Sequence, residues 1–332
     1  MERVRQSLET RTRVHLLTGF LGSGKTTLLQ RYLASKAADD TAVLINEFGA
    51  VSLDHGLIGA ADDVVEVLAD GCLCCTVVDR LGQSLRALLA RRKRHGRPFR
   101  ELIIETSGLA CPEPILNTIR ADYVLDEYLE IGSVVATLDC RDADHVLDHY
   151  GEAARQLCAA DRIVLTKPDL VDGRRVEQIK AMARALNPIA VIDTAADLAS
   201  AMGGLFERRD DAPRPSLTVP ERGRHQASLR SVALTYDEPL DWARFSLWLT
   251  AMLNRHGRSL LRFKGVLQVA GYPWPLVIHS VQHLMYPPRH LARLPKGQSG
   301  SALVFITDGL DPQRIVASLD RCMAQSGLPM AA

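Results

Sequence analysis

The sequence predicts an α/β fold: a mostly parallel sheet flanked by helices, joined to a smaller carboxyl-terminal α+β domain. Three observations predict it. Short apolar runs without strict alternation recur between residues 14 and 193, the pattern of strands buried on both faces. Between some of them, apolar residues return at three- and four-residue spacing, the pattern of packed helices. After residue 206 the composition changes, and alternating strands replace the continuous ones. These divide the chain into 1–206, a linker at 207–228 rich in proline and charge, and 229–332.

The first strand is Val14-His15-Leu16-Leu17-Thr18, and it runs into Gly19-Phe20-Leu21-Gly22-Ser23-Gly24-Lys25-Thr26-Thr27. That stretch is G-x-x-x-x-G-K-[ST], a phosphate-cradling loop. Its glycines let successive backbone N–H groups turn toward one anion. Lys25 is expected to reach the β- and γ-phosphates, and the Thr26 hydroxyl to hold Mg²⁺. Leu28, Leu29, Tyr32 and Leu33 then repeat at helical spacing, so a helix N-terminus should face the phosphates.

Thr41-Ala42-Val43-Leu44-Ile45-Asn46 is the second strand, leading into a loop that contains Glu47 and Asp54. Val64-Val65-Glu66-Val67-Leu68 is the third. Behind it comes Gly71-Cys72-Leu73-Cys74-Cys75. Three thiols in four positions suit a soft metal such as Zn²⁺, Cu⁺ or Co²⁺ better than Mg²⁺. Buried thiols and a redox pair are the alternatives. The three cysteines leave a fourth tetrahedral position open, as an exchanging site needs, and no second C-x-x-C completes a structural zinc site. The cluster is expected one strand away from the phosphate loop.

Val78, Leu81, Leu85, Leu88 and Leu89 mark an amphipathic helix, and the basic run Arg91–His95 suits its solvated end. Leu102-Ile103-Ile104 is the fourth strand, ending in Glu105-Thr106-Ser107-Gly108. Glu105 falls where a Walker-B carboxylate lies near Mg²⁺ and the γ-phosphate. The fifth strand is Val134–Asp139 and the sixth Arg162–Leu165, followed by Thr166-Lys167-Pro168-Asp169. This is the guanine-reading N-K-x-D pattern with Thr in first place. The Asp169 carboxylate can accept from guanine N1 and N2, donors that adenine lacks, while the Lys167 stem lies along the base. Ala190–Asp193 is a candidate closing strand.

Residues 229–323 read as β-α-β-β-β-α, with Trp242, Phe245, Leu249, Met252 and Leu253 on one helix face. If Leu276–Leu284 is one strand, His279 and His283 share a face but stand roughly 13 Å apart, too far for one ion. Cys111, Cys140, Cys158 and Cys322 are isolated and are expected to be small buried thiols.

Composition bounds the function. With 332 residues and 47% hydrophobic content, two ordinary cores can form. A net charge of +1 gives no reason to expect nucleic acid or an anionic membrane as partner. No apolar run is long enough to span a bilayer, and Met1–Arg13 has no signal-peptide core. A cytoplasmic protein is expected, and seven cysteines there argue against a disulfide framework.

Taken together, the glycine loop, Asn46-Glu47-Phe48-Gly49, Gly71-Cys72-Leu73-Cys74-Cys75, Glu105-Thr106-Ser107-Gly108 and Thr166-Lys167-Pro168-Asp169 resemble the CobW-type metallochaperone GTPases. These are relatives of the urease- and hydrogenase-maturation GTPases. The second unit resembles that family's carboxyl-terminal domain at Arg262-Phe263-Lys264-Gly265 and Val304-Phe305-Ile306-Thr307-Asp308-Gly309. The resemblance implies a P-loop GTPase fold and GTP hydrolysis with Mg²⁺, in which Lys25 and Glu105 are catalytic. Gly19, Gly22, Ser23, Gly24, Lys25, Thr26, Thr27, Lys167 and Asp169 would bind the nucleotide. Cys72, Cys74 and Cys75 would hold Zn²⁺, Co²⁺ or Fe²⁺ as cargo for a client metalloprotein, with Glu47 as a neighbouring carboxylate. A homodimer is allowed but not required. The chain lacks the His-rich linker of some members, and Thr166 replaces Asn, a departure that would loosen the bracing of the loop, although hydroxyls do occur there in relatives. A nucleotide-dependent metal sensor and a P-loop phosphotransferase are the competing functions.

Overall fold

The computed structural model describes residues 11–35, 40–46, 65–68, 76–95, 99–207, 228–295 and 298–324. The chain divides into two compact units, Met1–Lys180 with Ala190–Arg208, and Ala181–Ile189 with Arg209–Ala332.

In the first unit, seven strands form one sheet: β1 (Thr12–Gly19), β2 (Thr41–Asn46), β3 (Val65–Leu68), β4 (Glu101–Glu105), β5 (Leu129–Asp139), β6 (Arg162–Thr166) and β7 (Val191–Thr194). Their order is β3-β2-β4-β1-β5-β6-β7, and every pairing is parallel. The apolar runs become strands because both faces are covered. All of β6 is buried, and β1 exposes only Arg13. The helices are α1 (Lys25–Leu33), α2 (Thr76–His95), α3 (Pro112–Ala121), α4 (Tyr123–Tyr128), α5 (Ala143–His149), α6 (Gly151–Ala159) and α7 (Gly173–Leu186). Leu28, Leu29 and Tyr32 of α1 pack against Leu17, Val43, Ile103, Val135 and Val164, one residue from each of five strands.

The central strand is β1, with β4 on one side and β5 on the other. Chain direction across the sheet reverses there, and open α/β sheets bind ligands at such a reversal, beyond the carboxyl ends of the strands. The order also corrects one expectation. Two strands, β2 and β4, separate β3 from β1, so the end of β3 lies roughly 14 Å from the phosphate loop, not one strand away. The reason is the chain path: β4, later in sequence, inserts beside β1 and displaces β2 outward.

In the second unit the strands are β8 (Leu229–Tyr236), β9 (Leu260–Leu267), β10 (Leu276–Val281), β11 (Leu284–Met285), β12 (Arg289–His290) and β13 (Ser301–Asp308). They pair antiparallel in the order β11-β10-β9-β13-β8, with β12 on β10. Helices α8 (Trp242–His256) and α9 (Pro312–Ala324) supply Phe245, Trp248, Leu249, Ile315 and Leu319 to one core with Phe263, Ile278 and Phe305. The Asp241 carboxylate caps α8 by accepting from Arg244 N–H at 3.0 Å.

The stretch from Pro275 to Met285 is not one strand. Gln282 adopts a left-handed φ of 51°, and β10 folds back onto β11. His283 is thus at a turn, outside the strand that carries His279. Among the described residues, no group of three or more His, Cys, Asp or Glu could hold a metal ion, and no helix is long and apolar enough to cross a membrane.

Candidate nucleotide site

The phosphate loop is built by backbone geometry. Gly19, Gly22 and Gly24 have φ of 138°, 70° and 88°, values that L side chains rarely adopt. Gly24 is the N-cap of α1 and supplies no side chain to its N–H groups, and the first turn of α1 holds no acidic residue. No capping side chain or first-turn carboxylate thus competes with an anion at this helix end. Lys25 is buried, and its ammonium donates to the carbonyls of Gly19 at 2.8 Å and Phe20 at 3.0 Å, so it lies across the loop.

Two neighbours fix the loop from the sheet side. The Ser23 and Thr137 hydroxyls are 2.6 Å apart. The Thr166 hydroxyl donates to the Ser23 carbonyl at 2.8 Å. Thr in the first place of T-K-P-D thus braces the loop through its hydroxyl. It can do so because the Thr166 methyl carbon stands where a Gly24 Cβ would meet it at 3.4 Å, so strand and loop are in close approach.

Lys167 has a left-handed φ of 52°, strained for a residue with a Cβ. Its ammonium donates to the Gly22 carbonyl at 2.9 Å and to Asp139 Oδ2 at 2.5 Å. The buried Asp139 carboxylate also accepts from Arg141 N–H at 2.9 Å. The lysine stem is thereby stretched along the outer side of the loop. Asp169 follows in the single turn Pro168–Leu170 and is exposed.

On the other side, the Thr26 hydroxyl donates to Glu105 Oε1 at 2.6 Å, with Glu105 buried at the end of β4. Hydroxyl and carboxylate are the hard oxygen donors that Mg²⁺ takes, so the residues present fit that ion. Thr106 anchors the turn that follows: its N–H donates to Leu17 O at 2.9 Å and its hydroxyl to Thr18 Oγ1 at 3.0 Å.

The structure thus brings Gly19, Gly22, Ser23, Gly24, Lys25, Thr26, Glu105 and Lys167 to one edge of the sheet, with Thr27 exposed on the first turn of α1. Cys72, Cys74, Cys75, Glu47 and Asp54 lie outside the described residues, as does nearly all of the 207–228 linker. Sequence reading missed Thr137 and Asp139 as parts of the site. The available signal was a polar residue at the carboxyl end of an otherwise apolar buried strand. Of the four isolated cysteines, Cys140 and Cys158 are buried as expected, whereas Cys111 and Cys322 are only half-buried. Burial pushes both the Cys111 and Cys140 thiols up to about 11, away from the thiolate form that binds metal.

Comparison with known proteins follows the same division. Residues 13–193 match the family described as CobW/HypB/UreG, nucleotide-binding domain, and residues 229–323 match the cobalamin synthesis protein cobW C-terminal domain. The chain is 33% identical over 277 residues to the zinc chaperone YjiA of Escherichia coli (strain K12), covering 82% of this chain and 86% of that protein. It is 31% identical over 307 residues to the zinc chaperone CobW of Sinorhizobium sp, covering 80% and 84%. Among solved structures, the Zn(II)-bound YjiA GTPase from E. coli matches with a TM-score of 0.66 at 26% identity, covering 94% of this chain and 99% of that one.

Proposed function

The chain belongs to the CobW/HypB/UreG family, and from that premise we propose that it is a GTP-hydrolysing metallochaperone. It binds a transition metal at Cys72, Cys74 and Cys75 and delivers it to a client metalloprotein. Zn²⁺ is the first expected cargo, since the relatives are named zinc chaperones, with Co²⁺ and Fe²⁺ as alternatives. Residues 1–206 handle nucleotide and metal, 207–228 link, and 229–332 form the carboxyl-terminal domain.

One observation carries the reading: β3, the strand that leads into the cysteine cluster, ends at the same sheet edge as the phosphate loop. Between them lies β2, whose end leads into Glu47. A loop starting there can touch both sites. GTP then favours metal capture and hydrolysis favours release, through a difference in metal affinity between the two nucleotide states.

In this reading the loop N–H groups and the α1 N-terminus bind the phosphates, and Lys25 leaves the Gly19 and Phe20 carbonyls for the β- and γ-phosphates. Lys167 packs along guanine and Asp169 reads its N1 and N2 donors. Thr26 and Glu105 would hold Mg²⁺, which neutralises charge developing on the phosphates. Basal turnover should be slow, because no arginine finger or dedicated base is evident from the sequence.

GTP turnover of the unaltered chain and of Lys25→Ala tests the activity. The variant should lose hydrolysis. Native-rate turnover by Lys25→Ala would assign the activity to a contaminant. Metal content is the second arm: one Zn²⁺ per chain is expected, and none after all three cysteines are changed to serine.

A further inference from the structure

Gln156 is fully buried on α6, yet it is used by no step above. Its side-chain amide donates to two consecutive-turn carbonyls, Gly108 O at 3.1 Å and Ala110 O at 2.9 Å. Both partners are acceptors, so the nitrogen must be the end that faces them. The Oε1 end is buried and has no hydrogen-bond partner among the described residues. Gln156 also lines a hollow together with Phe20, Leu21, Val146 and Leu157.

The clamped segment is the turn that follows Glu105. Its near end holds the Thr26 hydroxyl through Glu105. Its middle touches the phosphate loop: a Cβ on Gly108 would lie 2.6 Å from the Leu21 backbone nitrogen. A turn closes it, with Ala110 N–H donating to Ser107 O at 3.1 Å. Glu105 thus pins one end of the segment and Gln156 the other, with the phosphate loop between them. Burying a primary amide whose oxygen has no hydrogen-bond partner is unfavourable. An apolar residue at 156 would avoid that cost but would give up both bonds to the Gly108 and Ala110 carbonyls. The amide therefore has a positional task, or it would be a net liability.

We infer that Gln156 is a positioning residue for GTP hydrolysis. It holds the Gly108–Ala110 segment against the phosphate loop and transmits displacement of that segment to α6. A γ-phosphate entering beside Lys25 meets the segment at Gly108. Any shift there must be followed by the Gln156 amide or break two hydrogen bonds. The inference rests on the GTPase reading for its kinetic arm, but the clamp itself does not.

Gln156→Met tests it, keeping length and apolar volume while removing both donors. The expected result is a fall in kcat of roughly 10- to 100-fold, the scale set by about 1 Å of misplacement. KM for GTP and affinity for GDP should stay near those of the parent, because the loop N–H groups and Lys25 are untouched. Hydrogen exchange supplies a readout that a packing role would not move. In the parent, a GTP analogue that resists hydrolysis should slow exchange in residues 107–111 and in α6 together. In Gln156→Met the response should be confined to 107–111. Native-rate turnover by the variant, or an unchanged joint exchange response, overturns the inference. So does loss of turnover in parallel with loss of GDP affinity. If the parent hydrolyses no GTP, the functional reading fails. The clamp is then judged in the nucleotide-free protein, where amides 107–111 must exchange faster in Gln156→Met than in the parent; equal rates overturn it.

Discussion

Thr166 stands where the guanine-reading motif has Asn, and a single hydroxyl does the bracing there. It donates to the Ser23 carbonyl, and Thr166→Val removes that bond without changing shape. One neutral hydrogen bond contributes about 1 kcal/mol, so GDP affinity should fall roughly fivefold. An unchanged dissociation constant, measured by calorimetry, would show that the bond is not felt at the nucleotide. Asp169→Asn is the companion test of base choice. It should narrow the preference for GTP over ATP by exchanging an acceptor for a donor opposite guanine N1. Equal native affinity for both nucleotides would remove the guanine assignment altogether. The residues of the phosphate loop were legible because one contiguous motif names them. Thr137 was not, because it acts across a strand pair that joins residues over a hundred positions apart, and Asp139 was not, because it meets Lys167 from the neighbouring strand, 28 residues on. Gln156 was invisible for the same reason: its partners lie 46 and 48 residues away.

The strands of the first unit were readable as elements because a buried parallel strand needs apolar residues on both faces. The β10–β11 turn was not, since Val281-Gln282-His283-Leu284 contains no Gly, Pro, Asn or Asp to announce it. Helix α3 raises a different point. Glu113 lies in its first turn, where the helix dipole favours an anion, yet it is 4% exposed. Desolvation is the larger effect and raises its carboxyl above the ordinary 4.5, opposed by a backbone hydrogen bond and by Arg155. The sign follows. The folded state holds this proton more tightly than the unfolded state, so the contribution to stability is greatest below the unfolded value. It is lost as pH rises through the folded value. Glu113→Gln should therefore raise the melting temperature at pH 7 to 8, with the difference shrinking toward pH 4. A difference independent of pH would show that Glu113 titrates alike in both states.

At the scale of the molecule, the sequence patterns marked a mostly parallel nucleotide unit and a smaller α+β unit; the first sheet is parallel in every described pairing and the strands of the second pair antiparallel. Strand order was not legible, because apolar runs say which strands are buried but not which are neighbours. That order matters for the proposed mechanism: β2 lies beside both β3 and β4, so it ends between the end of β3 and the phosphate loop. The central claim is that nucleotide state sets metal affinity. Linkage makes it reciprocal, since a GTP analogue that tightens metal binding must itself be bound tighter by the same factor when metal is present. Thiolate ligation also requires proton loss, so metal affinity should rise with pH toward the thiol range. The most direct measurement is titration of Co²⁺, read by thiolate charge-transfer absorption, with the protein loaded with GDP or with a GTP analogue. One Co²⁺ per chain should bind more tightly in the analogue state, and changing Cys72, Cys74 and Cys75 to serine should abolish the difference while leaving GDP affinity nearly intact. Superimposable curves in the two states would mean two independent sites on one domain, and would contradict a nucleotide-gated chaperone.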